Sequence, residues 1–580
     1  MEKHDGKIIG LLIEDLFTDY AKDIIHSIMN AIGNSSDIRL VVMAGKHDEN
    51  PDLTGSEHCY KSIYNVIYRF EEVCHFDGLI LALGSMSESN EVVWDGFFGE
   101  RFKHTPKVFI SSSRDNEITV NYDNESGIRE AIDYLVKVKG FTKIGMLGGR
   151  EDNSDANERK EIFSRCLYDN NLRFREEMYE KTYMAEDCEK AVESLLDRNP
   201  GIQAIFCVND AVARGLYSVM ARRNLVPGKD ISVFGFDNTR MAAEMTPPLS
   251  SIGANSDAPS QAAVELLLKL IDGEKVSSVL IPTKLFGRES LKYEMYDYKP
   301  QEIMDVTPEF IDKLFDDCFY RYKNELYDRE NVDLKRLFHE FMTRMLSAMK
   351  HRYMSLEEFE EAGHLIDIFF ENGAMNYTDA DKFVKSVDRL QGSINRAQKS
   401  VAANVRINRL FARSKDRAIL TLAQGRVSRE HLTKYGRGRM KDFLADVVDY
   451  TGNGRDTLER IISNFDKIGL ENAALYLFTE PVIYNYGEHV RFPSEIELRC
   501  VMKAGELFIL PSERRKSSLE MIFSREELAL RCKGFVTLPV FYGTMIFGLI
   551  VCELAGDIAD RGDYVADLVG RTLYIAGHLG

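Results

Sequence analysis

The feature that most constrains this fold is an alternation that fills the first 290 residues. Short, continuously apolar and β-branched runs alternate there with amphipathic stretches of helical spacing. The apolar runs are residues 7–13, 38–45, 77–84, 107–113, 143–149, 204–209 and 231–237. The amphipathic stretches include residues 19–32, 125–139, 158–170 and 210–223. This alternation predicts an α/β fold whose parallel sheets carry helices on both faces. Ligands of such folds bind beyond the carboxyl ends of the strands.

The pattern changes twice along the rest of the chain. Residues 300–450 carry heavy charge, apolar residues at helical spacing and almost no strand-like runs, which predicts a helical linker or bundle with one long connecting helix over 378–424. Residues 455–580 read as a helix, several strands and a final helix, which predicts an α+β domain. The predicted domains are therefore 1–295, 300–450 and 455–580.

Composition excludes several classes of protein. The 74 Lys and Arg residues against 92 Asp and Glu residues give a net charge of −18, which opposes non-specific binding to nucleic acid or anionic lipid. The nine cysteines never occur as C-x-x-C, so we expect reduced thiols, no disulfide framework and no metal site. The first residues do not read as a secretory signal, and the uncharged stretch 534–552 reads as two strands joined by a turn rather than a membrane span. We expect a cytoplasmic protein without cofactor or membrane contact.

Several motifs in the first half carry a resemblance to a known family. They are AIFCVNDAVARGLYSVMARRNLVPGKDISVFGFDNTRMAAEMTPPLSSI (204–252), VNYDNESG (120–127), KGFTKIGMLGG (139–149) and FGRES (286–290). Together they resemble the lactose-repressor/galactose-repressor family. The resemblance implies a two-lobed domain with the periplasmic-binding-protein fold over 1–295.

The resemblance also implies a binding site for a small polar ligand such as a sugar. Hydroxyls that leave water need fixed donors and acceptors, which a guanidinium fork and a carboxylate at a strand end supply. An aromatic ring after the first strand matches one that packs on a sugar face in the family. The candidate contacts are Phe17, Asp19, Ser112, Arg159, Asn209 and Asp237.

Each main candidate has a structural alternative. Arg159 and Asp237 could form an ion pair between the lobes, Asn209 could cap the helix that begins after it, and Phe17 could belong to the core. The sequence also departs from the family pattern: Ser112-Ser113 replaces Asp-Arg, Ile162 replaces a glycine, and Ala254 replaces a glutamine. A pentose-type specificity therefore does not carry over.

A second resemblance concerns the chain beyond the first domain. Residues 60–70, 473–488 and 535–553 are similar to segments of bacterial signalling proteins, in which a helical region and a GAF-like domain precede an output domain, often a GGDEF diguanylate cyclase. Repressors of the first family carry a helix-turn-helix of roughly sixty residues before the first strand. Here six residues precede Lys7. We therefore expect no direct DNA binding by this chain.

The sequence shows no P-loop, kinase glycine-rich loop, H-E-x-x-H or GGDEF-like motif, so we predict that the chain is not an enzyme. The leading hypothesis is a homodimeric sensor of a small polar ligand that relays lobe closure through helices to the GAF-like domain and a possible output partner. One alternative is the regulatory half of a diguanylate cyclase. Another is a transcriptional co-regulator without its own DNA-binding head.

Overall fold

A computed structural model provides the fold. It describes residues 6–13, 15–16, 18–33, 37–45, 63–72, 75–82, 104–111, 117–151, 153–254, 257–292, 298, 300–320, 322, 333–397, 400–401, 403–424, 463, 471–484, 490–524, 534–554 and 558–578. The strands are β1 (Lys7–Ile13), β2 (Ile38–Ala44), β3 (Gly78–Ala82), β4 (Lys107–Ile110), β5 (Thr119–Asp123), β6 (Ile144–Gly148), β7 (Tyr179–Lys181), β8 (Ala204–Cys207), β9 (Ser232–Phe236), β10 (Ser250–Gly253), β11 (Val279–Pro282), β12 (Lys284–Phe286), β13 (Ala473–Ile483), β14 (Glu495–Lys503), β15 (Glu506–Ile509), β16 (Lys516–Ser518), β17 (Gly534–Tyr542) and β18 (Met545–Glu553).

The helices complete the description of the elements. They are α1 (Asp19–Ile32), α2 (Asn124–Asp133), α3 (Ser154–Asp169), α4 (Glu189–Arg198), α5 (Asp210–Arg222), α6 (Arg240–Glu244), α7 (Ala258–Ile271), α8 (Pro300–Asp305), α9 (Pro308–Cys318), α10 (Leu334–His351), α11 (Leu356–Glu371), α12 (Ala380–Ala397), α13 (403–424), α14 (Ser512–Arg515) and α15 (Ile558–His578).

The first half of the chain forms two lobes, as the family resemblance implies, and each lobe has the predominantly parallel sheet that the alternation predicts. In lobe 1 the strand order is β11-β5-β4-β3-β1-β2, and every neighbouring pair is parallel. In lobe 2 the order is β12-β10-β9-β8-β6-β7, with β12 antiparallel and the other pairs parallel. The chain crosses between the lobes after β5, after β10 and after β11, so three segments connect them.

Local sequence explains why the elements begin and end where they do. Helix α1 begins after Thr18, whose side chain accepts a hydrogen bond from the backbone N–H of Ala21, and it ends at Gly33 with a φ of 71°. Its Ile24 and Ile28 are buried against the lobe 1 sheet. The amphipathic pattern thus places one helix face on the core, and this helix has the bounds predicted from the sequence.

The C-terminal unit, defined as residues 471–578, is an antiparallel sheet with the order β17-β18-β13-β14-β15, with α15 at its end. Strands β17 and β18 form a hairpin across Gly543 and Thr544. This confirms the prediction that the uncharged stretch 534–552 contains two strands. None of the described helices combines the length and the apolar character that a membrane crossing requires.

The sheets of lobe 1 and the C-terminal unit are continuous, whereas the sequence pattern predicts separate domains. Residues Gly534–Thr537 of β17 pair in parallel with Leu40–Met43 of β2. Strand β2 would otherwise be an exposed edge with unpaired N–H and C=O groups. Strand β17 is apolar on both faces and buried, and its Pro539, which lacks an N–H, lies beyond the end of the β2 ladder. Sequence pattern alone does not reveal such a long-range pairing.

The helical domain, defined as residues 300–424, packs around its own hydrophobic core. The predicted long helix over 378–424 is wrong, because α12 and α13 fold back on each other as an antiparallel pair. Gln391 donates to Asn408 at 2.7 Å, and Lys415 donates to Asp388 at 2.5 Å. An extended helix would expose the apolar face of α13, whereas the fold-back buries Leu410 and its neighbours in the core.

Candidate functional site

The candidate site lies at the carboxyl ends of the lobe 2 strands, next to the β5–α2 crossover. Helix α3 carries Asp155 and Arg159, which are four residues apart and therefore share one helix face. Strand β9 ends at Phe236, and Asp237 comes directly after it. These elements bring a guanidinium and two carboxylates together at the edge that faces lobe 1.

Arg159 is buried and held firmly in place. Its Nε donates to Asn124 Oδ1 at 3.1 Å, and its NH1 donates to the carbonyl oxygen of Val208 at 2.7 Å. Its guanidinium carbon lies 3.6 Å from the centre of the Phe236 ring, which is a cation–π contact. The guanidinium is therefore fixed before any ligand arrives.

The second terminal nitrogen of Arg159 faces carboxylates that stay beyond hydrogen-bond distance. NH2 lies 3.8 Å from Asp237 Oδ1 and 3.9 Å from Asp155 Oδ2. The side chain of Asp237 is 20% exposed. An oxygen atom about 2.8 Å from both NH2 and Oδ1 would complete a triangle in which it accepts one hydrogen bond and donates the other. Both residues belong to lobe 2, so the alternative of an ion pair between the lobes is wrong.

Asp237 has two unusual properties. Its φ is 98°, a region that residues other than glycine rarely adopt and that costs on the order of 1–3 kcal/mol. Its backbone N–H donates to the carbonyl oxygen of Ile252 at 2.8 Å, which holds this conformation. Burial raises the pKa of Asp237, and the nearby charge of Arg159 partly opposes that rise. Strain and a shifted pKa in one largely buried carboxylate are typical of a functional position.

Tyr122, at the end of β5, lies where the two lobes meet. Its ring meets that of Phe236 edge to face, with 6.3 Å between centroids. Burial raises the pKa of Tyr122, and Asp237, Asp155 of lobe 2 and Asp23 of lobe 1 raise it further. The hydroxyl therefore stays a neutral donor and acceptor at physiological pH.

Lobe 1 contributes fewer described residues to this cleft. Tyr20 and Ser111 share a hydrogen bond of 3.1 Å between their hydroxyl oxygens, and Asp15 accepts from the backbone N–H of Thr18 at 2.9 Å. Asp15 lies just after β1 and Ser111 just after β4, so both lie at the carboxyl edge of the lobe 1 sheet. Polar groups thus lie at the carboxyl edge of this sheet as well.

The predicted contacts fall into two groups. Phe17 and Ser112 lie outside the described residues, and Asp19 begins α1 with a side chain that is also outside them. Arg159 and Asp237 come together at the carboxyl edge of the lobe 2 sheet. Their role as ligand contacts stays a prediction.

Asn209 adopts the alternative role of a helix cap. Its Oδ1 accepts from the backbone N–H of Val212 at 2.9 Å and thereby caps α5. Its Nδ2 donates to the carbonyl oxygen of Met184 at 2.8 Å. Both ends of the amide are therefore engaged within the lobe.

Several residues at this cleft were missed by sequence reasoning. Asp155 precedes Arg159 by one helical turn, so the i,i+4 spacing was an available signal. Tyr122 lies in the VNYDNESG motif (120–127) but gave no separate signal. Tyr20 and Ser111 meet only through the tertiary fold, because 91 positions separate them.

A buried carboxyl group next to the site holds the loop that follows β9 in place. Asp210, the first residue of α5, accepts from the backbone N–H of Thr239 at 2.8 Å, from the Thr239 hydroxyl at 2.9 Å and from Ser251 Oγ at 2.6 Å. Burial, with a further contribution from Asp237, raises the pKa of Asp210 to about 7. This cluster ties α5 and β10 to the loop that begins at Asp237.

Comparison with known proteins agrees with the two-lobed architecture. Residues 132–291 match the family of periplasmic binding protein-like domains. The HTH-type transcriptional repressor PurR of Aliivibrio salmonicida is 30% identical over 194 residues, which cover 33% of this chain and 54% of that protein. The probable HTH-type transcriptional repressor ExuR of Bacillus subtilis is 28% identical over 222 residues, covering 37% and 65%.

Solved structures also match. A complex of the transcriptional regulator CelR with cellobiose has a TM-score of 0.42 at 20% identity and covers 49% of this chain and 86% of that one. The chain spans between about half and two thirds of the length of PurR and ExuR. By the family match and the sequence identities, the first half of the chain contains a periplasmic-binding-protein-like domain that is similar in sequence to bacterial transcriptional repressors.

Proposed function

We propose that this protein is a ligand-responsive regulator of transcription that binds a small polar molecule, sugar-like in its hydroxyl groups, in the cleft between its lobes. The observation that carries this proposal is the separation of 3.8 Å between Arg159 NH2 and Asp237 Oδ1. A fixed donor and a fixed acceptor form a long ion pair there without a hydrogen bond between them. A ligand hydroxyl satisfies both, because it accepts and donates at once.

The surrounding groups support a polar, uncharged ligand. The site holds one guanidinium against the carboxylates of Asp155 and Asp237, so a ligand anion would meet net repulsion. The neutral Tyr122 hydroxyl and the hydroxyls of Tyr20 and Ser111 add donors and acceptors from the crossover and from lobe 1. A molecule with several hydroxyl or amide groups fits this set, which includes sugars and nucleosides.

The named relatives favour a role in transcription. PurR and ExuR are repressors by name, so they support the co-regulator alternative more than a diguanylate cyclase or a relay into a GAF-like domain. A homodimer that changes shape on ligand binding and associates with a DNA-binding repressor would serve as such a co-regulator. Differential affinity of the ligand for open and closed lobes would drive the change.

A thermal-shift screen tests the ligand part of the proposal. The panel contains glucose, ribose, cellobiose, adenosine, guanosine and several amino acids. A compound at about 100 times its dissociation constant stabilises the folded state by roughly 2.7 kcal/mol, which produces a clear rise in the midpoint. We expect a sugar or nucleoside to raise the midpoint of the wild type. If none of these compounds shifts it, the proposal of a sugar-like ligand is wrong.

Matched variants locate the binding site of any compound that raises the midpoint. Asp237→Asn keeps the side-chain shape but removes the charge, and Glu244→Gln makes the same change at an exposed position of lobe 2. We expect the shift to fall in Asp237→Asn and to persist in Glu244→Gln. An equal shift in both variants would place the ligand elsewhere.

Association with a DNA-binding partner tests the regulatory part. The purified chain is mixed with a helix-turn-helix repressor of the same family from the same organism, and the mixture is analysed by size exclusion with light scattering. The co-regulator role predicts a mixed assembly whose amount depends on the panel hit. Homodimers alone, with and without the hit, would argue against it.

A further inference from the structure

The helical domain is attached to lobe 2 through a buried ion pair. Arg288 Nε donates to Asp379 Oδ2 at 2.6 Å, and the two side chains are 1% and 3% exposed. Asp379 directly precedes α12, so it belongs to the helical domain. Arg288 NH2 also donates to the Tyr320 hydroxyl at 2.8 Å, and Tyr320 in turn donates to Asp379 Oδ2 at 3.0 Å.

The same guanidinium is equally bound to lobe 2. Its NH1 donates to the carbonyl oxygen of Leu249 at 2.7 Å, and its NH2 donates to Asn238 Oδ1 at 2.7 Å. Phe286 of β12 packs on Tyr320 with 4.9 Å between ring centroids. Arg288 therefore links the helical domain to the loop of Asp237 and Asn238, which adjoins the ligand cleft.

The C-terminal unit is attached to the other lobe. Beyond the β2–β17 ladder, Arg39 NH1 donates to the carbonyl oxygen of Phe523 at 2.6 Å in a buried contact, and Thr537 Oγ1 donates to the carbonyl oxygen of Val42 at 3.1 Å. The rings of Tyr64 and Phe541 meet edge to face at 6.1 Å. Two hydrophobic clusters contain residues of both lobe 1 and the C-terminal unit.

The hydrophobic clusters sort the described residues into three groups, which are lobe 1 with the C-terminal unit, lobe 2, and the helical domain. The contacts of Arg288, rather than a shared cluster, join the helical domain to lobe 2. Lobe 1 shares its clusters with the C-terminal unit, lobe 2 has two clusters of its own, and the helical domain has one. In the part of the chain that the structure describes, no cluster joins the helical domain to the C-terminal unit. The helical domain and the C-terminal unit, called the accessory parts, are therefore each attached to a different lobe.

We infer that the protein converts movement of its lobes into a change in the separation of the helical domain and the C-terminal unit. Lobe 2 carries the helical domain as one body, and lobe 1 carries the C-terminal unit as the other. The three crossover segments serve as the hinge between the bodies. A partner that contacts both accessory parts would then read the state of the cleft. This inference rests on the proposed function, from which it takes closure of the lobes.

This arrangement differs from a serial relay in which closure passes through the helices to the C-terminal unit. In a serial relay the helical domain moves relative to lobe 2 when the cleft closes. In the two-body arrangement the contact at Arg288 stays intact, and the two accessory parts move relative to each other. Interatomic distances separate the two mechanisms.

Four labelled positions measure the relevant distances in the full chain. His26 on α1, Lys190 on α4, Glu357 on α11 and Glu513 on α14 are exposed, and each receives a spin label through an incorporated non-natural amino acid. The distance between labels 26 and 190 reports the separation of the two lobes, and the distance between labels 357 and 513 reports the separation of the accessory parts. The 190–357 and 26–513 pairs report the internal rigidity of the two bodies. Pulsed dipolar spectroscopy gives each distance distribution.

The cleft is perturbed in two ways. One is saturation with glucose, cellobiose or adenosine. The other is Asp155→Trp, which adds a bulky ring to the lobe 2 face of the cleft and holds the lobes apart without any ligand. We expect the 357–513 distance to shift whenever the 26–190 distance shifts, while the 190–357 and 26–513 distances stay constant.

Three results overturn the inference. They are a shift in the 26–190 distance with an unchanged 357–513 distance, a shift in the 190–357 or the 26–513 distance in a chain that keeps Asp379, and a 26–190 distance that neither perturbation changes. If Asp155→Trp moves both distances together while no compound does, the two-body mechanism stands and ligand sensing by these compounds fails. The two proposals are therefore separable.

An anchor variant provides the control. Asp379→Asn preserves the shape of the side chain but removes the charge that Arg288 pairs with. We expect it to broaden the 190–357 distribution and to weaken the coupling between the 26–190 and 357–513 distances. An unchanged 190–357 distribution would show that other contacts hold the helical domain to lobe 2.

Discussion

Removing one partner of the Arg288–Asp379 pair should destabilise the protein strongly. Both side chains are almost fully buried, and four hydrogen bonds from Arg288 end on Asp379, Leu249, Asn238 and Tyr320. Asp379→Leu leaves the guanidinium buried without its counter-charge. Breaking a buried pair in this way costs about 3–5 kcal/mol.

The double variant Arg288→Met with Asp379→Leu removes both charges at once. Its cost should be clearly smaller than the sum of the two single costs, since neither charge is left alone. The double variant is still less stable than the wild type, because Asn238 Oδ1 and the carbonyl oxygen of Leu249 lose their donor. Each group that stays unsatisfied costs about 1–3 kcal/mol. We therefore expect an interaction energy of at least about 2 kcal/mol in the double-mutant cycle.

Urea denaturation monitored by far-ultraviolet circular dichroism measures the free energy of unfolding of the four proteins. Differential scanning calorimetry shows whether the helical domain unfolds with lobe 2 or before it. We expect the single variants to separate the two transitions. Additive costs in the cycle, or single variants within about 1 kcal/mol of the wild type, would refute a coupled buried pair.

Three further predictions concern other charged groups. Hydrogen bonds from Arg413 and Arg417 at 2.8 Å lower the pKa of Asp367 to about 2. Asp367→Asn should therefore lower the free energy of unfolding by roughly 2 kcal/mol above about pH 4 and leave it unchanged below about pH 2, which denaturation curves recorded at a series of acidic pH values would show. Burial raises the pKa of Asp210 to about 7, so the folded state keeps a proton that the unfolded state releases near pH 4. The free energy of unfolding should therefore fall between about pH 4 and pH 7 by up to about 1.4 kcal/mol per pH unit, and Asp210→Asn should make it less dependent on pH in this range. Arg39→Met should cost about 1–3 kcal/mol, because the carbonyl oxygen of Phe523 loses a buried donor. It should also speed hydrogen exchange along β17, because Phe535 of that strand loses its cation–π contact with the Arg39 guanidinium at 5.6 Å; unchanged exchange would contradict a role in the joined sheet.

The parallel α/β character of the first half was predictable because its central strands are continuously apolar, whereas its division into two lobes was implied by the family resemblance. Residues 7–13 form β1 with the predicted bounds, and residues 204–209 contain β8. Strands β5, β7, β10, β11 and β12 were missed. All five are short. Strands β5, β7 and β10 are also rich in polar or small residues, whereas β11 and β12 are mostly apolar but only four and three residues long, so all five form through pairing in the fold rather than through local preference.

The joined sheet and the helical hairpin were not predictable for a related reason. Residues of β2 and β17 lie about 500 positions apart, and a local sequence pattern carries no signal for such a pairing. The α12–α13 pair is separated by a short break without glycine or proline, so no local signal marks the turn. In both cases the burial of apolar faces decided the outcome.

The candidate site was predictable in its chemistry and less so in its geometry. Arg159 and Asp237 were identified as partners, yet their confinement to lobe 2 emerged only from the fold. Asn209 serves as a helix cap, the alternative that its place before Asp210 already indicated. Tyr122 was not singled out, because its position depends on the crossover between the lobes.

Calorimetric titration tests the central claim, that the cleft beside Arg159 and Asp237 binds a small polar ligand. The strongest stabiliser from the panel is titrated into the wild type, Asp237→Asn and Glu244→Gln. We predict saturable binding of one molecule per chain, at least about tenfold weaker in Asp237→Asn, which corresponds to about 1.4 kcal/mol, and unchanged in Glu244→Gln. Equal affinity in Asp237→Asn and the wild type would contradict this claim, as would the absence of saturable binding.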